Sequence, residues 1–200
     1  MILAFDTSSA ACTAALFDGD GTCLARKDEV IGRGHSERLV PMLDELLDGR
    51  TPATILVGVG PGSFTGIRVA IAAAYGLAIG WNAELSGMSS LALLAAGAGP
   101  GQVAVAVSGG HGELFVQSFE RGEPVSELAN LSPAGAAAVT SAKLVVGSGA
   151  AALVAARGWG ETRDLLPSAA DSMKLALEQR SLPAKPIYAR APDAQPRQAA

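Results

Sequence analysis

The chain has 200 residues, enough for one large domain or two small lobes around a sizeable core. It is 49% hydrophobic and 17% charged, which excludes a disordered chain, and its formal net charge of −4 excludes a stand-alone nucleic-acid binder. The charge is uneven: residues 171–200 hold five basic against three acidic groups, net +2, a balance that reads as a solvated tail, and the rest carries −6.

Residues 1–5 are an apolar run that reads as a strand ending at Asp6-Thr7-Ser8-Ser9. Residues 11–17 and 22–27 read as two further strands, joined by Asp18-Gly19-Asp20-Gly21 as a tight hairpin turn. That register sets Cys23 opposite Leu16 and Cys12 opposite Lys27, so the two cysteines are not cross-strand partners. Two unpaired thiols point to a reducing cytoplasm, and Asp6 interrupts the N-terminal run before it can serve as an export signal. Residues 28–34 are a polar connector. Ser36 is placed to cap a helix over 36–48, in which Leu39, Met42, Leu43, Leu46 and Leu47 recur at helical spacing. Pro41 falls inside that helix, where it costs a backbone bond.

Residues 55–59 read as a buried strand, and Gly58-Val59-Gly60-Pro61-Gly62-Ser63-Phe64-Thr65-Gly66-Ile67-Arg68 runs from its end into a helix reaching about residue 79. On that helix Gly66, Ala70, Ala73, Ala74, Leu77 and Gly80 share one broad face of small residues, as in a closely packed core or interface helix. Residues 55–81 carry Arg68 as their single charge. The break at Gly60-Pro61-Gly62-Ser63 leaves 69–81, too short to cross a bilayer. A short strand follows over 83–85 and a helix over 89–96; Gly97-Ala98-Gly99-Pro100-Gly101 marks a lobe boundary. In the second half, 103–107 is a buried strand, Ser108 to Gly112 a turn, and 113–119 the return strand of a hairpin. Ser132-Pro133 starts a helix, 144–146 is a strand, 150–157 a helix, and 165–167 a short extended piece. Ser168 with Asp171 opens a helix to about residue 180. The proline-rich last twenty residues read as an extended tail, ordered through Tyr188. The fold class is α/β, with each half mixing strands and helices in a way that allows a long-period duplication.

Two stretches suggest chemistry. Asp6-Thr7-Ser8 puts a carboxylate and hydroxyls at a strand end, which suits either a metal–phosphate group or a polar turn bonding its own backbone. The glycine-rich turn leaves backbone N–H groups at a helix N-terminus, where the dipole favours an anion. It lacks the Gly-Lys-Ser/Thr ending of a Walker loop and fits the dinucleotide pattern poorly, so Ser63 or Thr65 capping the helix explains it as well. These five residues, Asp6, Thr7, Ser8, Ser63 and Thr65, are the candidate anion or nucleotide contacts. His35 and His111 stand apart from each other and from the cysteines, so no metal set of common type forms. Ser108 and His111 lack a positioned acid and a nucleophile elbow. Glu113 enters an apolar strand, where a cross-strand pair explains it.

Taken in order, Ile2-Leu3-Ala4-Phe5-Asp6-Thr7-Ser8, Ala11-Cys12, His35-Ser36-Glu37-Arg38-Leu39-Val40-Pro41, the glycine motif from Gly58 to Arg68, and Pro186-Ile187-Tyr188-Ala189-Arg190 resemble the bacterial TsaB (YeaZ) family over residues 2–190. The resemblance implies a two-lobed actin/Hsp70/sugar-kinase-like (ASKHA, ribonuclease-H-like) fold of mixed sheets flanked by helices. It places an N-terminal lobe with dimerisation helices at 1–100 and a smaller C-terminal lobe with an extended tail at 101–200. It implies a cytoplasmic, non-catalytic subunit of the machinery that forms N6-threonylcarbamoyladenosine (t6A) at position 37 of tRNAs reading ANN codons. Such a subunit pairs with and activates TsaD, the larger metal-bearing relative that transfers the threonylcarbamoyl group. The small ATPase TsaE joins the pair, and TsaC or its relative makes the adenylate.

On this resemblance the chain holds no catalytic residues, metal or cofactor of its own, ATP and metal belonging to TsaE and TsaD. It meets tRNA only through the complex and no membrane at all. The partner interface falls on the first two helices, through Ser36, Leu39, Leu43, Leu46, Thr65, Val69, Ala70, Ala73 and Leu77, and the same face forms a homodimer when TsaD is absent. The family pattern Asp-Ala-Arg-x-Gly-Glu-Val-Tyr is replaced here by Ser108-Gly109-Gly110-His111-Gly112-Glu113-Leu114-Phe115, so any contact made by its Asp and Arg is in doubt. Two other classes compete: an ATP-dependent kinase of the same superfold, which Asp6 and the glycine turn suggest, and a peptidase of the M22 type, which the older family label suggests.

Overall fold

The computed structural model describes residues 1–188. Ala189, Arg190 and the rest of the tail expected from sequence lie outside the described residues.

The first sheet is built from β1 (Ile2–Asp6), β2 (Ala11–Phe17), β3 (Cys23–Val30), β4 (Thr54–Gly58) and β5 (Glu84–Met88), in the order β3-β2-β1-β4-β5. β1, β4 and β5 run parallel, and β1-β2-β3 form an antiparallel meander. Alternation assigns its two faces. Leu3, Phe5, Ile55 and Val57 pack under α1 (His35–Leu47) and α2 (Phe64–Trp81), whereas Ala4 and Leu56 face a second core. That second core is filled from α3 (Ser90–Ala98) and from the inner face of the other sheet, including Val103, Val105 and Phe119.

The second sheet contains β6 (Gln102–Gly110), β7 (Glu113–Glu120), β8 (Glu123–Pro124), β10 (Leu144–Val146) and β11 (Glu161–Arg163) in the order β11-β10-β6-β7-β8, and β9 (Ala129–Leu131) also pairs with β7. Its outer face, through Ala104, Ala106 and Val145, is covered by α4 (Pro133–Val139) and α5 (Ala150–Arg157). Read from the meander edge, the two sheets have the same topology: three antiparallel strands, a helix, a parallel strand, a helix, a parallel strand. This is the duplication that the mixed halves allowed. The layers run α1/α2, first sheet, α3, second sheet, α4/α5.

The chain then returns to the first lobe. A 3-10 helix (Ala169–Lys174), capped by Ser168, packs on β1, β2 and β3, and a short α6 (Leu177–Arg180) follows. The helix expected over 168–180 is therefore broken in two. Leu182 bridges Gly87 on the free edge of β5, and the Ile187 N–H bonds to Val59 O at 2.9 Å. Residues 168–188 thus belong spatially with the first hundred.

Four local expectations change. The hairpin closes on Asp18 and Thr22, with Gly21 at φ 82 in a three-residue loop, and a bulge follows at Leu16/Phe17. Cys23 therefore faces Phe17 and Cys12 faces Glu29. They remain apart, and both thiols are free. Second, β3 extends through Val30, taking in part of the expected connector. Third, Ser36 does not cap α1. Gly34, at φ 85, holds the N-cap position, and Ser36 Oγ donates to Glu37 Oε2 at 2.8 Å. Fourth, Ser108 to Gly110 remain in β6, so the turn narrows to His111-Gly112.

Candidate functional site

The strand end and the glycine-rich turn form one assembly. Asp6, wholly buried, accepts at Oδ1 from the Ser8 N–H and the Ser8 hydroxyl, both at 2.7 Å, and at Oδ2 from the Ser90 hydroxyl at 2.5 Å. Ser90 Oγ itself accepts from the Gly60 N–H at 3.1 Å. Asp6 therefore ties together β1, the glycine turn and the start of α3. Thr7 Oγ1 donates to Gly66 O at 2.6 Å, and the Ser63 N–H donates to Ser8 O at 2.6 Å. Ser63 Oγ caps α2 by accepting from the Gly66 N–H at 3.3 Å.

The glycines allow this contact. A Cβ on Gly58 would collide with the Asp6 carboxylate, and one on Gly66 with the Thr7 carbonyl. Of the five candidate anion contacts, Asp6, Thr7, Ser8 and Ser63 thus bond to their own chain, closing the turn onto the strand end. Thr65 stands outside this assembly, exposed on the first turn of α2. Sequence reasoning missed Ser90. Its position in the first turn of α3 could have suggested a local hydrogen bond, but not a partner 84 residues away.

The turn launches α2, whose 18 residues contain one charge, Arg68. The helix is longer than expected. By length and composition alone it could cross a membrane, yet Gly66, Ile67, Ala70, Ile71 and Ala74 are buried on the first sheet. Its outward face is Thr65, Arg68, Ala72, Tyr75, Gly76 and Ile79, with Ile79 81% exposed. This face lies on the far side of the helix from the small-residue face inferred from sequence.

The expected interface divides accordingly. Leu39, Leu43, Leu46 and Ala70 are between 0% and 3% exposed and fill the core under α1 and α2. As contacts for a partner these four are corrected: the fold has already used their apolar surface. Ser36 and Thr65 are exposed, whereas Val69, Ala73 and Leu77 are half-buried at the edge of that core. Phe64, Ala72, Tyr75 and Ile79, which stand exposed on α2, are not among the residues singled out from sequence. Arg68 was the available signal, since a lone charge on an apolar helix marks the solvent side.

Beside α2, Arg38 on α1 forms a charged cluster with Glu29 on β3 and Glu45. It bonds Glu29 through Nε and Nη2, at 2.7 and 2.5 Å, and Glu45 through Nη1 at 2.8 Å; Lys27 also pairs with Glu45. Hydrogen bonds from Arg38, then from Lys27, hold the Glu45 carboxyl down at about 2. His35 lies buried at the start of α1, with Nε2 3.2 Å from Ala11 O, as a helix-start residue. Glu113 accepts from Asn130 Nδ2 on the neighbouring β9 at 2.6 Å, as its cross-strand reading expected. An open hollow of about 430 Å3 between β3 and the 3-10 helix is lined by Leu24, Arg26, Asp171 and Lys174 among others, and none of the candidate residues reaches it.

Two duplicated lobes, each a mixed sheet with helices outside and a glycine turn at the end of its first parallel crossover, define the two-lobed actin-like and kinase-like α/β class. Solved relatives share the whole of it. A Pseudomonas aeruginosa protein described as similar to peptidase YeaZ superimposes with a TM-score of 0.81 at 31% identity, covering 94% of this chain and 99% of its own. YeaZ from Pseudomonas aeruginosa gives 0.77 at 31% identity, covering 94% and 98%. The family model of TsaD, tRNA N6-adenosine threonylcarbamoyltransferase, matches residues 28–161. A curated relative from Escherichia coli strain K12, "tRNA threonylcarbamoyladenosine biosynthesis protein TsaB", is 38% identical over 133 residues, 61% of this chain and 56% of the relative. The Haemophilus influenzae protein of the same name is 38% identical over 100 residues, 47% of this chain and 41% of the relative. The matched stretches thus span about half the length of these curated relatives. This chain belongs to the TsaB/YeaZ family, within the wider superfamily that the TsaD model describes.

Proposed function

We propose that the chain is a non-catalytic subunit of the cytoplasmic machinery that forms t6A on tRNA, and that it docks and activates a TsaD-type catalytic relative through the outward face of α2 and the adjoining surface of α1. The observation that carries this reading is α2 itself. A helix of 18 residues with a single charge leaves Ala72, Tyr75, Gly76 and Ile79 in solvent on the outer layer of the fold. A contiguous apolar surface of this kind marks an interaction site. The glycine turn supports the same reading: its Gly60 and Ser63 N–H groups donate to Ser90 Oγ and Ser8 O, bonds that fix the turn and aim α2. The names of the curated relatives support the process, the match to the TsaD model supports a catalytic relative of that type as the partner, and TsaE enters through the family resemblance alone.

The test is reconstitution. Alone, the chain is expected to leave tRNA unmodified. With its cognate TsaD, TsaE and the adenylate-forming enzyme, it is expected to be required for t6A formation. Full modification without it would overturn the reading.

A further inference from the structure

The N-terminal end of the α2 face carries a built cluster. The Arg68 guanidinium lies over the Phe64 ring at 3.5 Å from its centroid. Arg68 Nη2 donates to the Tyr188 hydroxyl at 3.3 Å, and the Tyr188 and Phe64 rings stand 5.8 Å apart at 39°. The cluster joins the start of α2 to a residue 120 positions later in the chain. Tyr188 is brought there by the strap that bridges Gly87 and bonds Val59. Both aromatics remain more than half exposed, Phe64 at 54% and Tyr188 at 58%.

Among the described residues Arg68 is held by an aromatic ring and a hydroxyl rather than by an acid. It forms no ion pair among them, whereas Arg38, 30 positions earlier, takes two carboxylates. A partner covering Ala72, Tyr75 and Ile79 removes water from the guanidinium one turn away. A desolvated charge without a counter-charge opposes association, and two copies of this chain cannot correct that through α2, which contains no acid. Stacking on Phe64 and the bond to Tyr188 hold the guanidinium fork in place, which limits the side-chain entropy lost on binding. Arginine and aromatic residues are also the side chains enriched in the anchors of interfaces.

We propose that Phe64, Arg68 and Tyr188 form the anchor of the docking face and receive a carboxylate side chain from the catalytic relative. The proposal rests on the docking reading above and specifies the chemistry the partner must present. Arg68 is a specificity residue here: its charge selects a partner with an acid opposite it, and its planar fork distinguishes it from lysine.

The test measures affinity of the full-length chain for its purified cognate TsaD by calorimetry at two salt concentrations, with thermal melts to show that each variant is folded. Arg68→Gln is expected to weaken binding about thirtyfold or more and to flatten the salt dependence. Arg68→Lys is expected to recover only part of the loss, and Phe64→Leu with Tyr188→Phe to weaken binding through loss of positioning. Arg68→Glu is expected to be rescued by an acid→Arg change on the partner.

Ile79→Arg, about three turns away, separates the two claims. If Ile79→Arg abolishes binding while Arg68→Gln stays within twofold of the parent at both salts, the anchor proposal is wrong and the docking reading stands. If neither variant affects binding, both fall. If Arg68→Gln affects only self-association of the isolated chain, or only tRNA retention by the assembled complex, the carboxylate of the catalytic relative is the wrong occupant.

Discussion

Asp6→Asn separates a structural carboxylate from one held in reserve for a metal–phosphate. In the folded chain Asp6 accepts three hydrogen bonds, two from Ser8 and one from Ser90, without solvent. The asparagine side chain has almost the same shape but must place an NH2 group where one oxygen was. On the Ser8 side it meets a backbone N–H, whose direction is fixed. On the Ser90 side it meets a hydroxyl already accepting from the Gly60 N–H. Either orientation removes charge-assisted bonds and opposes donors in a buried site. At about 1.5–3 kcal/mol per bond to a charged group, with partial rearrangement, the expected loss is about 2–4 kcal/mol. For a chain of this size that lowers Tm by roughly 5–15 °C. Urea unfolding followed by circular dichroism measures the free energy, and calorimetry with magnesium nucleotide checks ligand binding on the same samples. An unchanged urea midpoint would refute the structural reasoning. It would do so most clearly if accompanied by loss of a nucleotide affinity that the parent shows.

Three further substitutions and conditions probe other parts of the fold. Ile79→Arg, at an 81% exposed position, should change unfolding free energy by no more than about 0.5 kcal/mol yet abolish co-elution with TsaD, while Ala70→Arg, at a fully buried position, should prevent folding; equal behaviour of the pair in thermal melts and size-exclusion runs would contradict the assigned faces of α2. Burial, reinforced by Glu29, pushes the Cys12 thiol up to about 11, so at pH 8 maleimide should label Cys23 alone in the folded chain and both thiols after denaturation, counted by mass spectrometry. The Glu45 carboxyl is held at about 2 against a usual 4.5 by its bonds to Arg38 and Lys27. Its contribution is therefore complete above 4.5 and disappears as the pH falls toward 2, so Glu45→Gln should make the urea midpoint less sensitive to pH between 5 and 3. The effect is small because the pair is solvent-exposed, and identical pH slopes in parent and variant would remove the cluster from acid stability.

Much of the fold was legible because its signals are local. The strand over Ala11–Phe17, the strand over Leu144–Val146 and the helix over Ala150–Arg157 fall where apolar runs and their punctuation put them. β9 and β11 were not legible: each is three residues long, and β11 is exposed throughout, so neither has an apolar run to announce it. The candidate site failed in a more instructive way. In α1 the leucines at helical spacing pack on the chain's own sheet, so Leu39, Leu43 and Leu46 cannot also fill a partner's surface. In α2 apolar residues surround the helix, so periodicity hardly orients it, and a stripe of small residues looked like a face prepared for a neighbour. That neighbour is the chain's own sheet, which Ala70 and Ala74 allow to approach. The strap that delivers Tyr188 depends on contacts about a hundred residues apart, beyond what spacing can encode.

The duplication shows how two lobes of one architecture can present different outer surfaces. In both lobes a parallel crossover ends in a glycine turn pressed onto the central strand, just past its end in the first lobe and midway along it in the second. In the first, Gly66 packs on the Thr7 carbonyl; in the second, the Gly149 N–H bonds to Ala106 O at 2.9 Å, and Gly147 lies against the same carbonyl. The turns are equivalent, but the helices they launch are not. α2 has 18 residues and α5 eight, and among the described residues the strap that carries Tyr188 meets α2 through Arg68. Equivalent turns therefore cannot account for a role specific to one lobe. The extra length of α2, its exposed apolar side and the arginine–aromatic cluster at its start are what distinguish the first lobe. Variants confined to the exposed face of α2 and Tyr188 should consequently separate partner binding from folding, whereas variants in either glycine turn should perturb folding first.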